Sequence, residues 1–261
     1  MNGPATPLQW EPWEPGALRS FASAGELHLA FADVAALRAR LPALDDVLDA
    51  DERARAVRFV RDDARRRWSA SRAFLRYVLA PYAGDEPGRL RFDVDVRGKP
   101  SLRRAALGML SPRRTAALHF NLAHSGDGVL VAVCAAGPVG VDLEVRRSVR
   151  GAERLARRFF TPAEAAAVAE CDEPERSTAF LLRWTCKEAV LKASGVGIAG
   201  GLDAVEIISG GDRVTALAAA DESGILSTAL QALSPAPGYL AAVAGPGYGR
   251  IVGRRCLPAL H

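Results

Sequence analysis

The sequence predicts an α+β protein built as two halves of similar make-up. Three observations predict it: apolar residues recur at threes and fours between Asp51 and Ala80 and again between Phe180 and Ala193, short alternating apolar runs mark strands elsewhere, and each half carries one long helix followed by short strands. Strands in runs with helices set apart favour this class over regular strand-helix alternation. The halves meet near Ala136, giving residues 1–136 and 137–261, and no internal sequence repeat accompanies their shared inventory.

The first 20 residues are rich in Pro and Trp without a period and read as an extended lead-in. Ala35 to Leu48 has helical spacing interrupted by Pro42. From Asp51 one long amphipathic helix is expected, with Val57, Phe59, Val60, Trp68, Phe74, Leu75, Val78 and Leu79 on its apolar side and Pro81 as its stop. Leu90 to Val96 alternates as a half-buried strand and runs into the turn Gly98-Lys99-Pro100; Arg103 to Thr115 reads as loop. His119 to Ala123 and Val129 to Cys134, joined by Ser125-Gly126-Asp127-Gly128, read as a hairpin. Val139 to Val145 is a further strand, with Val139, Val141, Leu143 and Val145 on one face and Gly140, Asp142 and Glu144 on the other. Arg154 to Phe160 is a short helix, and Thr161-Pro162-Ala163-Glu164 opens another with an N-cap, a first-turn proline and a capping glutamate. The helix from Phe180 ends at Gly195 and Gly197, and strands follow at Ala204 to Ile208, Arg213 to Ala218 and Leu240 to Ala244.

With 261 residues, 49% hydrophobic and 25% charged, the chain can bury a core without metal or disulfide staples. Cys134, Cys171, Cys186 and Cys256 include no C-x-x-C pair and read as reduced thiols. No export signal or membrane-length apolar run is seen, so a cytoplasmic location is expected. Charge is distributed unevenly. Between Asp51 and Arg72 eight arginines face four acids, a surplus of four that equals the net charge of the whole chain, so this segment is a candidate anion-binding face or else a solvated helix surface. Of 34 basic residues only Lys99, Lys187 and Lys192 are lysines, which marks them as candidates for places that need a compact ammonium and not a planar fork.

Asp142 and Glu144 lie on one face of a strand, and two adjacent carboxylates repel unless a cation neutralises them; Mg2+ with phosphate oxygens is the usual partner of such a pair. Alone, the pair also fits an acidic edge strand. Glu188 and Lys192, four apart on a helix, fit an ordinary surface ion pair as well as a third carboxylate and an ammonium brought to that strand. Joined, they would suit a metal-bound diphosphate, with one carboxylate free to accept a proton from an attacking hydroxyl. His124 ends a strand at a turn, where side chains often face clefts. The segment Gly245 to Gly249 lacks the strand-to-helix setting of a phosphate loop.

In order and spacing, Gly98-Lys99-Pro100, Phe120-Asn121-Leu122-Ala123-His124-Ser125, Gly140-Val141-Asp142-Leu143-Glu144, Arg158-Phe159-Phe160 and Trp184-Thr185-Cys186-Lys187-Glu188-Ala189-Val190-Leu191-Lys192 resemble the long, Sfp-type group of the 4'-phosphopantetheinyl transferase superfamily, over Asp51 to Gly197. The resemblance implies two α/β halves in a pseudo-twofold arrangement with coenzyme A between them. It implies a monomer that carries out Mg2+-dependent transfer of phosphopantetheine from coenzyme A to a serine of an apo acyl or peptidyl carrier protein, releasing adenosine 3',5'-bisphosphate. By motif match, Asp142, Glu144 and Glu188 would hold the metal, Lys192 the pyrophosphate, and Glu188 would be the base. Lys99, His124 and Arg55 would contact the nucleotide end of coenzyme A, and Lys187 would be a further cation at the site or a partner of the acidic cluster. Two departures touch coenzyme A binding: Ala123 stands where many relatives have serine, and Arg67 aligns with a hydroxyl residue of the nucleotide pocket. The competing readings are a basic nucleic-acid-binding protein and a Mg2+-dependent nuclease. Against the first, Phe59, Trp68 and Phe74 look core-facing and leave no exposed aromatics along the basic stretch.

Overall fold

A computed structural model describes residues 8–18, 21, 25–41, 43–96, 98–103, 118–195, 201–210, 213–218, 229–247 and 249–258. Its elements in chain order are β1 (Trp10–Pro12), β2 (Glu26–Asp33), α1 (Val34–Arg40), α2 (Ala50–Ala56), α3 (Asp62–Ala83), β3 (Phe92–Val94), β4 (Pro100–Leu102), β5 (His119–Ser125), β6 (Gly128–Cys134), β7 (Gly140–Val145), α4 (Ala152–Phe159), α5 (Pro162–Ala169), α6 (Glu175–Ser194), β8 (Val205–Gly210), β9 (Arg213–Ala218), β10 (Ala229–Leu233), β11 (Tyr239–Gly245) and β12 (Arg250–Cys256).

A five-stranded sheet runs β1-β12-β2-β6-β5 and a three-stranded sheet runs β10-β11-β7. Within them β2-β6-β5 and β7-β11-β10 repeat one another: β2 and β7 each pair antiparallel with a later strand, β6 or β11, which pairs antiparallel with the strand just before it in the chain, β5 or β10. Strand alternation then makes the layers. Ala30, Ala32, Val129, Val131 and Val133 face α1 and α3, whereas Leu27, Leu29, Phe31, Leu130 and Ala132 face Val139, Val141, Leu143, Ala241 and Val243 of the second sheet. The other face of that sheet, through Ala242 and Ala244, packs on Ala189, Val190 and Ala193 of α6. The order is helix, sheet, sheet, helix. The central strands are buried on both faces, which explains why β2, with Glu26 and His28 buried along it, does not read as a strand by alternation.

Several boundaries differ from the sequence expectation. The helix expected from Asp51 is two helices, α2 and α3, because Val57, Phe59 and Val60 have poor helix propensity and Asp62-Asp63 supply a fresh acidic first turn; Val57 and Val60 are exposed. Pro81 does not stop α3, which runs one turn further to Gly84 in the left-handed region (φ 67°). Val94 and Val96 lie exposed at the tip of the two-stranded β3–β4 hairpin, beyond the reach of the core that buries Leu90. The lead-in supplies β1 and the buried Trp13, and β12 inserts between β1 and β2, so a segment of residues 137–261 completes the sheet of residues 1–136. Most of the loop expected at Arg103 to Thr115, and Gly197, lie outside the described residues. All four cysteines are unpaired, and among the described residues no helix is long and apolar enough to cross a membrane.

The basic segment divides in two. Arg61, Arg65, Arg67 and Arg72 form ion pairs with Asp63, Asp62, Asp127 and Glu52, whereas Arg53, Arg55, Arg58 and Arg66 form none among the described residues. Further along α3 the fully buried Arg76 binds both Asp49 (2.6 Å) and Glu52 (2.7 Å) and donates to the carbonyls of Pro87 and Leu90, tying α2 to α3. Half of the apparent anion-binding charge is thus structural.

Buried His28 on β2 joins Tyr82 of α3 through Nδ1 (2.5 Å) and Glu26 through Nε2 (3.2 Å). A neutral ring satisfies both: Nε2–H donates to the carboxylate and Nδ1 accepts from the hydroxyl. Burial holds His28 below the usual imidazole range, against the pull of Glu26 and with Arg250 and Arg254 assisting. The unfolded chain therefore binds a proton that the folded one resists. Stability is full above the unfolded value of about 6.5 and falls as pH drops toward the folded one. In urea titrations between pH 7.5 and 5.5 the unfolding midpoint should fall with pH, and His28→Gln should flatten that slope; equal slopes would remove His28 from the account.

Candidate active site

The site lies where β7 passes between α6 and the edge strand β5. On one edge β7 pairs with β11; on the other, its amides meet side chains of β5. Asn121 Oδ1 accepts from Val141 N (3.0 Å) and Ser125 Oγ accepts from Val145 N (3.1 Å), so two polar side chains on one face of β5 join the sheets. Ser125 Oγ also donates to Glu144 Oε2 (3.1 Å), to which Arg147 donates as well (2.8 Å). Glu144 is thereby fixed from both sides.

Gly140 decides how near α6 can come. A Cβ there would lie 2.0 Å from Ala189 O and 2.3 Å from Ala193 N, so helix backbone rests directly on strand backbone. This brings Glu188 and Lys192, four apart on α6, to the face of β7 that carries Asp142 and Glu144. Lys192 Nζ donates to Asp142 Oδ1 (2.6 Å) and to Val141 O (3.2 Å). Asp142 Oδ2 and Glu188 Oε1 are buried with no hydrogen-bond partner among the described residues, in residues only 8% and 6% exposed. Burial, then the neighbouring carboxylates, push both above the ordinary carboxyl range against the pull of Lys192. Among the described residues no three His, Cys, Asp or Glu side chains are drawn together closely enough to ligate one metal ion.

Of the other expected site residues, Lys99 comes in from the β3–β4 turn and its ammonium donates to Lys192 O (2.7 Å). His124 stands exposed at the end of β5, held below the usual imidazole range by desolvation and by the Lys192 charge. Arg55 is exposed on α2 with its guanidinium 5.7 Å from the Trp68 ring centroid, and no hydrogen bond or ion pair joins it to the carboxylates among the described residues. Lys187 corrects the expectation. It is fully buried, turned away from the acidic cluster, and paired with Glu164 Oε2 of α5 (2.7 Å), with the Leu202 and Val205 carbonyls also accepting from it. One residue along a helix turns a side chain by about 100°, which separates Lys187 from Glu188. Arg67 pairs with Asp127 (2.6 Å) in the β5–β6 turn, and Ala123 is buried between the sheets. Phe159 and Phe160 pack on Trp184 and Phe180, seating α4 against α6.

Sequence reasoning left Asn121, Ser125 and Gly140 without roles. The signal for Asn121 and Ser125 was their shared strand face, and for Gly140 its place on the face of Asp142.

Comparison with known proteins supplies the family. A 4'-phosphopantetheinyl transferase superfamily profile matches residues 138–244, and one for the N-terminal part of 4'-phosphopantetheinyl transferases matches residues 36–136. The 4'-phosphopantetheinyl transferase HetI of Nostoc sp. is 38% identical over 226 residues, 86% of this chain and 89% of that protein. This chain belongs to the 4'-phosphopantetheinyl transferase superfamily. The 4'-phosphopantetheinyl transferase of Bacillus subtilis is 28% identical over 61% of this chain and 66% of its own. That of Bacillus pumilus, psf-1, is 30% identical over 63% and 65%. Its activity is accordingly the transfer of phosphopantetheine to carrier proteins, with coenzyme A as the donor that the family uses.

For this transferase, Gly140→Ala should destabilise the fold by at least about 2 kcal/mol, since backbone atoms cannot yield as a flexible side chain does. Gly247→Ala, with nothing within 4 Å of the added carbon, should stay within about 0.5 kcal/mol. Urea unfolding of the two variants checks this; similar midpoints would mean that α6 does not need the close approach.

Proposed function

We propose that this enzyme catalyses Mg2+-dependent transfer at the face of β7, with Asp142, Glu144 and Glu188, which are not drawn together in the structure, as the carboxylates that would close on the metal, Lys192 as the pyrophosphate cation and Glu188 as the base. The observation that carries this reading is the pair of buried, partnerless carboxylate oxygens, Asp142 Oδ2 and Glu188 Oε1, beside the Lys192 ammonium. Burying an oxygen without a partner is costly, and a hard divalent cation with phosphate oxygens would satisfy both at once. When bound, Mg2+ would neutralise charge that grows on the pyrophosphate as the reaction proceeds.

The protein groups then have separate tasks. Glu188, whose burial raises its proton affinity, accepts the proton of the carrier serine hydroxyl. The serine oxygen bonds to the β-phosphorus while the bond from that phosphorus to the departing adenosine 3',5'-bisphosphate breaks. Lys192, its side chain 28% exposed, moves from Asp142 to the leaving phosphate and stabilises the charge there. Ser125 and Arg147 keep Glu144 aimed into the site. In this reading His124, exposed at the end of β5, contacts the nucleotide end of coenzyme A, and Arg55, which has no carboxylate partner among the described residues, contacts its ribose phosphate. The acceptor is an apo acyl or peptidyl carrier protein.

Intact mass of an apo carrier protein after incubation with this enzyme, coenzyme A and Mg2+ should rise by one phosphopantetheine, and chelator should prevent the gain. Glu188→Gln and Asp142→Asn should each lower kcat by at least about a hundredfold while leaving the unfolding midpoint at or above the native value, because each removes a buried charge. Full activity in either variant would overturn the assignment of roles.

A further inference from the structure

Four arginines from three helices line one cavity of about 430 Å³, a volume within the range of small-molecule sites. Arg38 comes from the last turn of α1, Arg53 from α2, and Arg65 and Arg66 from the start of α3. Little balances this charge. Asp45, the one acid of the lining among the described residues, lies 3.6 Å from Arg38, and Arg65 pairs with Asp62 (2.8 Å). Arg53 and Arg66 have no carboxylate partner among the described residues, and Arg53 donates instead to Leu48 O. The Nε of Arg38 is buried with no acceptor among the described residues. Like charges gathered around one cavity repel, and a buried N–H without a partner is costly; an anion in the cavity relieves both.

The cavity lies apart from the transfer site. Successive residues of a helix turn by about 100°, so Arg65 and Ser69, which line the cavity from α3, are on the side away from Arg67, and Arg53 is on the side of α2 away from Arg55. Arg67 is bound to Asp127 in the turn that follows His124, and Arg55 stands 5.7 Å from the Trp68 ring centroid. On the cavity side, Arg38 of α1 donates to Arg66 O (3.3 Å). The basic segment thus has two faces, one toward the border of the halves and one toward α1.

Leu48 and Ala56 are buried at the cavity and Val57 is exposed in its wall, so apolar surface lies beside the guanidiniums. Planar forks take phosphate oxygens in pairs, and guanidiniums on three helices suit a ligand with more than one phosphate. No aromatic ring stands among the described lining residues, so the stacking that a single nucleic-acid strand uses is missing. We propose that this cavity is a second ligand site, separate from the transfer site, for a small organic molecule that carries two or more phosphates, with Arg53 and Arg66 as its principal contacts.

The test uses inorganic pyrophosphate and ADP as probes, with chelator present. Phenylglyoxal, which modifies accessible guanidiniums, is applied to the native enzyme with and without each probe, and the modified arginines are located by peptide mass. At saturation both probes should slow modification of Arg53 and Arg66 at least about fivefold and leave Arg58, exposed and outside the cavity, within about twofold. Equal slowing at Arg58 would mean general attraction to a basic surface, and no slowing at Arg53 and Arg66 would mean no site; either result overturns the proposal. Calorimetry is done on Lys192→Met, which removes the cation proposed to hold pyrophosphate in the transfer site. Adding Arg53→Gln and Arg66→Gln there should weaken the Kd for pyrophosphate at least about tenfold. In otherwise native enzyme the same two substitutions should keep the urea midpoint, and kcat for transfer to an apo carrier protein within about twofold, since neither arginine faces that site. A folded double variant without transfer would place both arginines in the transfer site, and pyrophosphate bound without ADP would exclude an organic ligand; each also overturns the proposal.

Discussion

At Gly140 there is room for a hydrogen and nothing larger, because the backbone of α6 rests on the strand there, with Ala189 O and Ala193 N inside the volume a Cβ would fill. Most of the site depends on this contact. A helix kept away by side chains would hold Glu188 and Lys192 too far from Asp142 and Glu144 for the 2.6 Å ion pair that Lys192 now makes. A stripe of small residues on both partners, Ala189 and Ala193 on the helix with Ala242 and Ala244 on the neighbouring strand, lets the approach continue along the sheet. The buried, partnerless carboxylate oxygens are a consequence of the same approach: helix and strand exclude water from groups that in a looser structure would be hydrated.

α6 is held by more than its apolar contacts, and the scarcity of lysine becomes intelligible around it. Lys187 leaves α6 toward Glu164 of α5 and the carbonyls of Leu202 and Val205, Lys192 leaves it toward β7, and Lys99 arrives at its last turn from the first half. Glu164 has further bonds: it accepts from Thr161 N in the capping box of α5 and from Ile207 N of β8. The Lys187 pair is therefore fully enclosed and multiply bonded, the condition under which a buried ion pair is tolerated. All three lysines thus bond to or from α6, the helix that carries Glu188.

The two halves meet with their sheets face to face, and at the line where β5 comes beside β7 they are joined by side chains. Asn121 and Ser125 take the place that a neighbouring strand would have, satisfying amides of β7. The long helices stand on the two outer faces, so the repeat of β2-β6-β5 by β7-β11-β10 leaves Asp142 and Lys192 of the second half beside Lys99 and His124 of the first.

The class of the fold, the two long helices, the hairpin and the strand bearing Asp142 and Glu144 were legible because they follow periodicity, and the carboxylates and Lys192 were legible because their spacing puts them on single faces. Where residues are buried on both sides, periodicity fades: β2 was passed over, β12 gave no sign that it belongs to the first sheet, and Val57 to Val60 were read as helix though they lie outside it. Lys187 shows the limit at a single residue. Its neighbour in sequence is Glu188, yet helix geometry and the presence of Glu164 send it into the core. The sequence by itself determined which side chains share a face of one helix or one strand, since that depends only on local backbone geometry. Which faces meet, how closely, and which ammonium finds a carboxylate or a carbonyl were decided by the tertiary structure, because those depend on the missing Cβ of Gly140 and on groups as far apart in the chain as Lys99 and Lys192.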